Sequence, residues 1–399
     1  MISVEDYRER VIALAAGASV GTERVPVGEA SGRVLAERVA ARFAVPPFDN
    51  SAMDGFAVRA ADIGRTPVDL VVAGESAAAG GRVPEVGAGT AVRVMTGGRL
   101  PAGADAVVQV EWTDQPRGAT PLPDRVRIDR SVAPGQNVRR AAEDVRAGDE
   151  VLPRGVLLTP ASVAAAASVG HGDLEVCRRV RVAVVATGAE LVEPGLALSP
   201  GEIPDSNSLM LAALAGAAGA EVAAVRRCGD DPAELESLLA GLPAVDLVLT
   251  TGGVSAGAYE PLRLLGAGLE FCAVAMQPGK PQGYGTVDGV PLLAFPGNPV
   301  SSFVSFHVFG VPLLDALTGA VRRHVPRLAR AAAGWPSPEG RRQFVPVAVE
   351  ADGSVVRPSH VRGSGSHLIA SLLLADALAI VAAERTRVDA GDQLELMDV

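Results

Sequence analysis

Lysine is almost absent from this sequence, although arginine is common. Of the 36 lysine and arginine residues only Lys280 is a lysine, and it lies in the stretch MQPGKPQGYG at 276–285. Arginine carries a planar, spread charge, whereas lysine carries a compact and strongly hydrated charge on a thin stem. A narrow binding site that needs a compact positive charge could not replace lysine with arginine. Lys280 is therefore a candidate functional residue, the alternative being a chance surface lysine.

Cysteine and histidine are also scarce, and neither forms a metal-binding pattern. The three cysteines, Cys177, Cys228 and Cys272, are far apart and form no C-x-x-C motif, so we expect buried free thiols in a reducing compartment. The five histidines include no H-x-x-x-H pair, which gives a histidine-based metal site little support.

Aromatic residues and positive charge are in short supply as well. Aromatics make up 4% of the 399 residues, which argues against stacking platforms for single-stranded nucleic acid. The formal net charge is −10 with no basic block, which argues against a nucleic-acid or anionic-membrane surface. The N-terminus lacks a signal-peptide pattern, and the longest apolar stretches are too short to span a bilayer. We expect a cytoplasmic protein with no nucleic-acid or membrane partner.

The pattern of apolar runs and turn residues changes along the chain. From about residue 25 to 150, short valine-rich runs alternate with glycine and proline turns, which predicts a β-rich region. Residues 180–325 alternate apolar strands with capped helices, which predicts a parallel sheet covered on both faces. Short strands return after residue 325 and predict a small C-terminal β domain.

Local signals predict the ends of several elements. Ser3 predicts a helix start, and Thr159 with Pro160 predicts another. The Asp-Gly pair at 288–289 predicts a β-hairpin just after the Lys280 loop. A long helix is predicted for VSSFVSFHVFGVPLLDALTG.

Three loops of small residues follow strands of the predicted sheet: ATGAEL at 186–191, TTGGVSAGAYE at 250–260 and FPGNPVSS at 295–302. The carboxyl ends of parallel strands share one edge, where ligands bind. Glycines allow close backbone approach, and the helix after the third loop offers free N–H groups, with Asn298 as its N-cap. The pattern predicts an oxyanion or phosphate site; the alternative is that the loops only turn the chain. The candidate binding residues are Gly252, Gly253, Ser255, Pro296, Gly297, Asn298, Pro299 and Ser301.

The N-terminal half carries a second cluster of polar residues. In PPFDNSAMDGFAV at 46–58, Asp49 and Asp54 are candidates for binding a metal or orienting a ligand, and the alternative is a well-capped turn. The stretches at 94–111 and 135–149 add Thr96, Arg139, Arg140, Glu143 and Asp144. The second of these stretches is alternatively a surface hairpin with salt bridges.

Six motifs occur in a characteristic order and spacing: PPFDNSAMDGFAV, MTGGRLPAGADAVV, GQNVRRAAEDV, TGGVSAGAYE, PGKPQGYG and FPGNPVSS. Together they resemble the molybdopterin molybdenumtransferase (MoeA-like) family of molybdenum-cofactor biosynthesis, from about residue 5 to residue 395. The resemblance implies a transferase that inserts molybdate into adenylylated molybdopterin and releases AMP. It also implies Mg2+ as cofactor, a homodimer, and other molybdenum-cofactor synthesis proteins and apo-molybdoenzymes as partners.

The resemblance further implies the division of an elongated, multidomain chain. A discontinuous N-terminal linking α+β domain takes residues 1–42 and 139–178, and a β-rich domain at 43–138 is inserted into it. A doubly wound α/β domain of the molybdopterin-binding type takes 179–325, and a small C-terminal β domain takes 326–399. The fold class is thus α/β plus β-rich domains.

Roles for single residues also come from the resemblance. The catalytic positions that it implies are Asp54, Thr96, Asp144, Glu190, Asp230, Glu260 and Lys280. Three acids of the α/β domain are the implied magnesium ligands: Glu190, Asp230 and Glu260. Pro296 and Pro299 match anion-binding loops, and Ser366 matches a C-terminal position near the cleft. No protein nucleophile is required, which suits the lack of a Ser-His or Cys-His arrangement.

Four positions depart from the family pattern. Many members have Asp at Glu260, a second acid at Ala258, a basic residue at Gln277 and Gly at Ala142. Glu260 keeps the charge with an added methylene, and Gln277 removes a positive charge beside Lys280. These changes bear on metal geometry and on molybdate affinity.

Two other functions stay open at this stage. The molybdopterin adenylyltransferase step needs only the α/β unit, so the N-terminal β-rich half argues against it. A non-enzymatic cofactor carrier or scaffold would not need Lys280 or the set of acids. Tungstate stays open as an alternative to molybdate, because the two oxyanions have almost the same size and charge.

Overall fold

The computed structural model describes residues 1–77, 81–118, 120–254, 261–264, 268–322, 325–360 and 365–399. Within them the chain forms an α/β unit, a linking unit, a β-rich unit and a C-terminal β unit.

The α/β unit is built on a six-stranded sheet. Its strands lie in the order Glu221–Cys228, Arg181–Thr187, Leu247–Thr251, Val290–Phe295, Pro281–Val287 and Leu269–Ala273. The first four are parallel and the last two are antiparallel to their neighbours. The central strands are buried along almost their whole length because both faces of the sheet are covered, as predicted.

Helices cover the sheet of the α/β unit. They span Asn207–Ala217, Pro232–Ala240, Pro261–Leu264, Pro299–Ser305 and Val311–Thr318. The predicted long helix is present, but a π-helical turn at Phe306–Gly310 divides it. A short parallel pair of strands, Leu191–Val192 with Ile203–Pro204, follows the strand Arg181–Thr187 along the chain.

The Asp-Gly hairpin determines where Lys280 lies. Asp288 and Gly289 join two antiparallel strands and have φ angles of 50° and 79°, the pair of positive values that a type I′ turn requires. The strand that begins at Pro281 therefore starts at the edge where the parallel strands end. Lys280, directly before it, is placed at that edge, and the predicted hairpin is confirmed.

The first helix, Val4–Ala13, packs on the α/β unit. Ser3 begins it as predicted, because the Ser3 hydroxyl oxygen accepts a backbone N–H bond of the first turn. Tyr7 is buried with its ring 4.7 Å from that of Phe309, centroid to centroid. The predicted domain boundaries stay a prediction, but this helix shares its core with the α/β unit and not with the linking unit. The reason is its apolar face, which fits against the Phe306–Gly310 turn.

The linking unit combines two separate stretches of the chain. Its antiparallel pairs are Thr22–Pro26 with Asp173–Cys177 and Val39–Ala40 with Glu150–Leu152, and its helical segments are Val27–Glu29 and Pro160–Ser168. Thr159 caps the second helix through a reciprocal bond with Ser162, and Pro160 is the first helical residue, as predicted.

The β-rich unit lies between the two halves of the linking unit. Its five strands are ordered Ala106–Gln109, Gly55–Val58, Thr90–Val94, Val68–Ser76 and Arg125–Ile128, with 3-10 turns at Ala60–Ile63 and Val110–Trp112. The pair Asn50–Ser51 with Val138–Arg139 joins the points where the chain enters and leaves the unit. The predicted β-rich region is confirmed.

The C-terminal β unit is a sheet closed on itself. Its strands are ordered Met276–Gln277, Arg342–Val349, Val355–Pro358, Arg327–Ala331, Gln393–Asp398 and Ala377–Val381, and the second also pairs with the last. A separate pair joins Trp335–Pro336 to Arg387–Val388, and a 3-10 segment spans Ile369–Leu374. The strand Met276–Gln277 comes from the stretch just before Lys280, so this unit is attached to the Lys280 loop.

The expectation that every apolar stretch is too short to span a bilayer is wrong for one helix among the described residues, since Pro299–Thr318 is long and apolar enough by length and composition. Its apolar window is 67% buried inside the α/β unit, as in the core helix of a folded domain.

Candidate active site

A cavity of about 650 Å³ opens at the carboxyl edge of the parallel sheet. The three predicted loops meet there, joined by residues from the start of the helix Asn207–Ala217. Of the candidate residues, those that line the cavity are Glu190, Asp230, Gly252, Gly253, Pro296, Gly297, Asn298 and Pro299. Ser301 is buried and does not line it. The topology thus brings together residues more than a hundred positions apart, as expected for an edge where parallel strands end.

The Gly252 turn packs tightly against the end of the strand Arg181–Thr187. Gly252 has φ +90°, and a Cβ there would lie 2.4 Å from the carbonyl oxygen of Thr187. No side chain fits this backbone, so the loop approaches the strand closely. The Thr187 hydroxyl lies under the turn, is buried, and has no hydrogen-bond partner among the described residues.

A buried polar network holds the loop at 296–299. Asn207 Nδ2 donates to the Gly297 carbonyl at 2.6 Å and to Thr251 Oγ1 at 3.0 Å. Thr251 Oγ1 lies 3.1 Å from Ser302 Oγ, and both hydroxyls reach the Pro296 carbonyl, at 3.3 and 2.5 Å. The network joins a helix, a strand and the loop, so the loop backbone has one defined orientation.

The start of the helix after this loop differs from the prediction in two respects. Asn298 occupies the N-cap position, but its side chain makes no capping bond. The backbone N–H of Val300 is not free for a ligand, because it donates to the carbonyl of Ser366 at 3.1 Å. The C-terminal unit supplies this partner, so Ser366 contributes to the site region through its backbone, and the neighbouring His367 lines the cavity.

Two carboxylates face the cavity from neighbouring loops. Asp230 Oδ2 accepts from the backbone N–H of Ala189 at 3.3 Å, next to Glu190. The carboxylate of a third acid, Asp205, is hydrogen-bonded within the protein. It accepts from the backbone N–H of Ser208 at 3.0 Å and from the Ser208 hydroxyl at 2.5 Å. In the part of the chain that the structure describes, no group of three or more His, Cys, Asp or Glu side chains could hold a metal ion. The third predicted ligand, Glu260, lies outside the described residues, as does Ser255.

Lys280 is exposed beside the cavity, directly before the lining residue Pro281. Its carbonyl accepts from the Val274 N–H at 2.8 Å. Gln282 holds the loop from inside by donating to the Gly279 carbonyl at 2.7 Å and to Ser305 Oγ at 2.6 Å. The backbone around the lysine is thus anchored while the side chain reaches solvent.

A second cavity, of about 500 Å³, lies in the β-rich unit and is lined by Asp54 and Thr96. Asp54 Oδ1 accepts both from the Thr96 backbone N–H at 2.6 Å and from the Thr96 hydroxyl at 2.8 Å. A Cβ on Gly55 would lie 2.0 Å from the carbonyl oxygen of Val108, so only glycine lets the strands approach here. The two cavities share no lining residue.

The contacts of Asp49 favour a well-capped turn, the alternative to a metal-binding or ligand-orienting role. Its carboxylate accepts from the Ala141 N–H at 2.7 Å and from Arg140 at 2.7 Å, and these bonds lower the pKa of Asp49. Arg140 also donates its N–H to Glu143, as in a surface turn with salt bridges. Asp144 lies in the same segment, exposed, and lines neither cavity.

A buried cysteine, Cys228, lies next to the cavity, where its carbonyl accepts from the N–H of the lining residue Gly188 at 3.1 Å. Cys228 is buried two residues before Asp230, and burial raises its pKa to about 11. It is therefore a neutral thiol at physiological pH and not a nucleophile.

Several residues of the site were missed in the sequence: Thr187, Asp205, Asn207, Thr251 and Ser302. The strings DSNS at 205–208 and TTGG at 250–253 were visible, and the glycines of the second were noted. The presence of these hydroxyl and amide groups does not by itself indicate a binding site, because Ser, Thr and Asn side chains also cap turns and helices.

Three family models match successive parts of the chain. They are described as the MoeA N-terminal region (domain I and II) at residues 2–170, the probable molybdopterin binding domain at 183–316, and the MoeA C-terminal region (domain IV) at 328–399.

Whole-length relatives agree with these matches. A Mycobacterium tuberculosis protein named molybdopterin molybdenumtransferase 2 is 42% identical over 390 residues, covering 94% of this chain and 94% of that protein. A molybdopterin molybdenumtransferase of Haemophilus influenzae is 34% identical over 384 residues, covering 94% and 93%. The crystal structure of a molybdopterin biosynthesis moeA protein from Pyrococcus horikoshii covers 100% of both chains, with 30% identity and a TM-score of 0.83, which confirms the predicted fold class. The chain belongs to the MoeA family.

Proposed function

We propose that this chain is a molybdopterin molybdenumtransferase, an enzyme that inserts molybdate into adenylylated molybdopterin and releases AMP. The observation that carries the proposal is the convergence of three loops of small residues and two carboxylates on one cavity of about 650 Å³. Relatives that bear this name match the chain over nearly its whole length.

The cavity suits substrates that carry several negative charges. Molybdate is a tetrahedral dianion, and the pterin substrate carries phosphates, while the chain as a whole has a net charge of −10. Favourable charge must therefore be supplied locally. Backbone N–H groups of the glycine loops and the point charge of Lys280 are the donors that this edge of the sheet offers.

Mg2+ is the cofactor that we propose, and the residues present fit it. Glu190 and Asp230 line the same cavity. Magnesium is usually held by one or two carboxylates, with substrate phosphate oxygens and water completing its shell. Glu260, outside the described residues, stays a proposed third ligand. When bound, the ion neutralises charge that develops at the adenylyl phosphate.

A homodimer is proposed because the candidate residues fall into two separate cavities. Asp54 and Thr96 line one, and the oxyanion loops line the other. We expect the β-rich unit of one protomer to close the α/β cavity of its partner, with Asp144 near the junction. Light scattering that showed a fully active monomer at micromolar concentration would contradict this arrangement.

The cellular location and the protein partners that we propose are those implied by membership of the MoeA family. We propose a cytoplasmic enzyme that exchanges its cofactor with other molybdenum-cofactor synthesis proteins and with apo-molybdoenzymes. No described feature favours the adenylyltransferase or the scaffold, and both the N-terminal and the C-terminal MoeA regions are present.

The direct test is AMP release from adenylylated molybdopterin in the presence of Mg2+. We expect release to depend on molybdate, and a parallel series with tungstate measures the preference between the two oxyanions. An adenylyltransferase would instead make adenylylated molybdopterin from ATP and molybdopterin, and a scaffold would release no AMP. Either result would contradict the proposal.

A further inference from the structure

We infer that Gln282 is a positioning residue for Lys280: its buried amide fixes the backbone on one side of the lysine and ties it to the helix that begins at the cavity. The inference rests on the proposed function, in which Lys280 supplies a point charge for the oxyanion. It adds the side chain that determines where this charge lies.

The two peptide groups on either side of the Lys280 Cα are both held through their carbonyls. The Gly279 carbonyl belongs to the peptide group before Lys280 and accepts from Gln282 Nε2 at 2.7 Å. The Lys280 carbonyl belongs to the peptide group after it and accepts from the Val274 N–H at 2.8 Å. Peptide groups are planar, and only two soft dihedrals relate one to the next. Fixing both groups therefore fixes the direction in which the Lys280 side chain leaves the backbone.

The same amide links the Lys280 loop to the helix Pro299–Ser305. Gln282 Nε2 also donates to Ser305 Oγ at 2.6 Å, and the side chains of Gln282 and Ser305 are both buried, at 0% exposure. An amide nitrogen carries two hydrogens, so these two bonds use both of its donors. The first residue of this helix, Pro299, lines the cavity. Gln282 thus sets the position of Lys280 relative to the loop at 296–299.

Gly279 lets the amide approach the loop closely. Gly279 has φ +96°, and a Cβ there would lie 3.1 Å from Gln282 Nε2 and 3.1 Å from Ser305 Oγ. Any side chain would crowd both bonded groups, and a positive φ favours glycine. The loop is therefore tightly packed on the side that faces Gln282, although Lys280 itself is exposed.

The other anchor of the loop does not depend on Gln282. The stretch 273–275, which contains Val274, is held from both sides by backbone bonds. It accepts from the Ile2 N–H at 3.0 Å and from the Arg342 N–H at 2.9 Å. Loss of the Gln282 amide should therefore loosen the peptide group before the lysine and leave the loop attached to the first helix and to the C-terminal unit.

Three single variants separate positioning from general stability. Gln282→Met keeps a similar length but removes both donors, so it alters where the charge of Lys280 lies and not the charge itself. Ser305→Ala removes the link to the helix and keeps the Gly279 bond. Ser162→Ala is the matched control, because Ser162 is 9% exposed and its bonds cap a helix of the linking unit, away from both cavities.

The experiment is a double-mutant cycle that follows the molybdate dependence of AMP release. With Lys280 present, we expect Gln282→Met to raise the molybdate concentration for half-maximal release about tenfold, and Ser305→Ala to raise it as well. In the Lys280→Ala background the same changes should have an effect within about twofold, because the residue that they position is gone. Ser162→Ala should lower the melting temperature and leave the molybdate dependence unchanged.

A wild-type molybdate dependence in Gln282→Met overturns the inference. So does a rise that is equally large without Lys280, or one that Ser162→Ala reproduces, because Gln282 would then act on the fold and not through the lysine. If Gln282→Met does not fold, Ser305→Ala decides by the same comparison. A wild-type chain that releases no AMP with molybdate contradicts the proposed function itself, so the two failures are distinguishable.

Discussion

Replacing the single lysine tests whether the site needs a point charge. Lys280 is exposed at the edge of the sheet, and its backbone is held by the Val274 N–H and by Gln282 from the inside. The side chain buries little, so Lys280→Ala should leave folding unchanged. Any loss of function then reports on the charge itself.

The expected magnitude follows from a charge-assisted hydrogen bond. Removing one costs about 1.5–3 kcal/mol, and about 1.4 kcal/mol corresponds to one decade. Lys280→Ala should therefore weaken oxyanion binding, or slow AMP release at low molybdate, by roughly one to two decades. Lys280→Arg should also lose much of this, because the guanidinium is bulkier and its charge is spread over a fork.

The assay is the molybdate dependence of AMP release, with melting temperature as the control for folding. Arg65→Ala, at an exposed cation of the β-rich unit, is the matched variant for loss of surface charge and should behave as wild type. If Lys280→Arg matches wild type, the need for a point charge is refuted. If Lys280→Ala matches it as well, Lys280 has no functional role.

The other predictions concern the carboxylates. Asp54→Asn and Thr96→Val should each lower turnover, and because the Thr96 hydroxyl donates to the Asp54 carboxylate, the double variant should lose less than the sum of the two. Additive losses would contradict a shared role. Glu190→Gln and Asp230→Asn should each raise the Mg2+ concentration for half-maximal AMP release by about tenfold, without a change in melting temperature; an unchanged Mg2+ dependence argues against metal binding. For Asp49, the backbone bond from Ala141 and the ion pair lower the folded-state pKa. Its contribution to stability is therefore present above its ordinary pKa of about 3.9 and is lost as pH falls through the folded-state value. Asp49→Asn should flatten the acid decline in melting temperature, and a variant with an unchanged acid limb would disprove this.

Local signals in the sequence predicted much of the fold. Ser3, Thr159 with Pro160, and Asp288 with Gly289 each act within four residues, and each occupies its predicted place. The alternation of strands and helices predicted the parallel sheet and hence the edge where the loops meet. These features depend on short-range geometry or on periodicity, which a single sequence displays.

Features that depend on tertiary packing were not predicted. The bond from the Val300 N–H to the Ser366 carbonyl joins two units and removes a donor that the helix start was expected to offer. The network from Asn207 through Thr251 to the loop at 296–299 spans about ninety residues and uses side chains that are ordinary in composition. The first helix packs on the α/β unit because of the shape of its apolar face, which no local pattern reveals.

Anomalous diffraction at the molybdenum edge, from crystals of the chain soaked with molybdate, AMP and Mg2+, tests most directly where the oxyanion binds. We predict one strong peak in the cavity of the α/β unit, within hydrogen-bonding distance of the Gly297 and Asn298 backbone nitrogens or of Lys280 Nζ. A peak confined to the cavity of Asp54 and Thr96, or to surface arginines, would contradict the assignment of the oxyanion site.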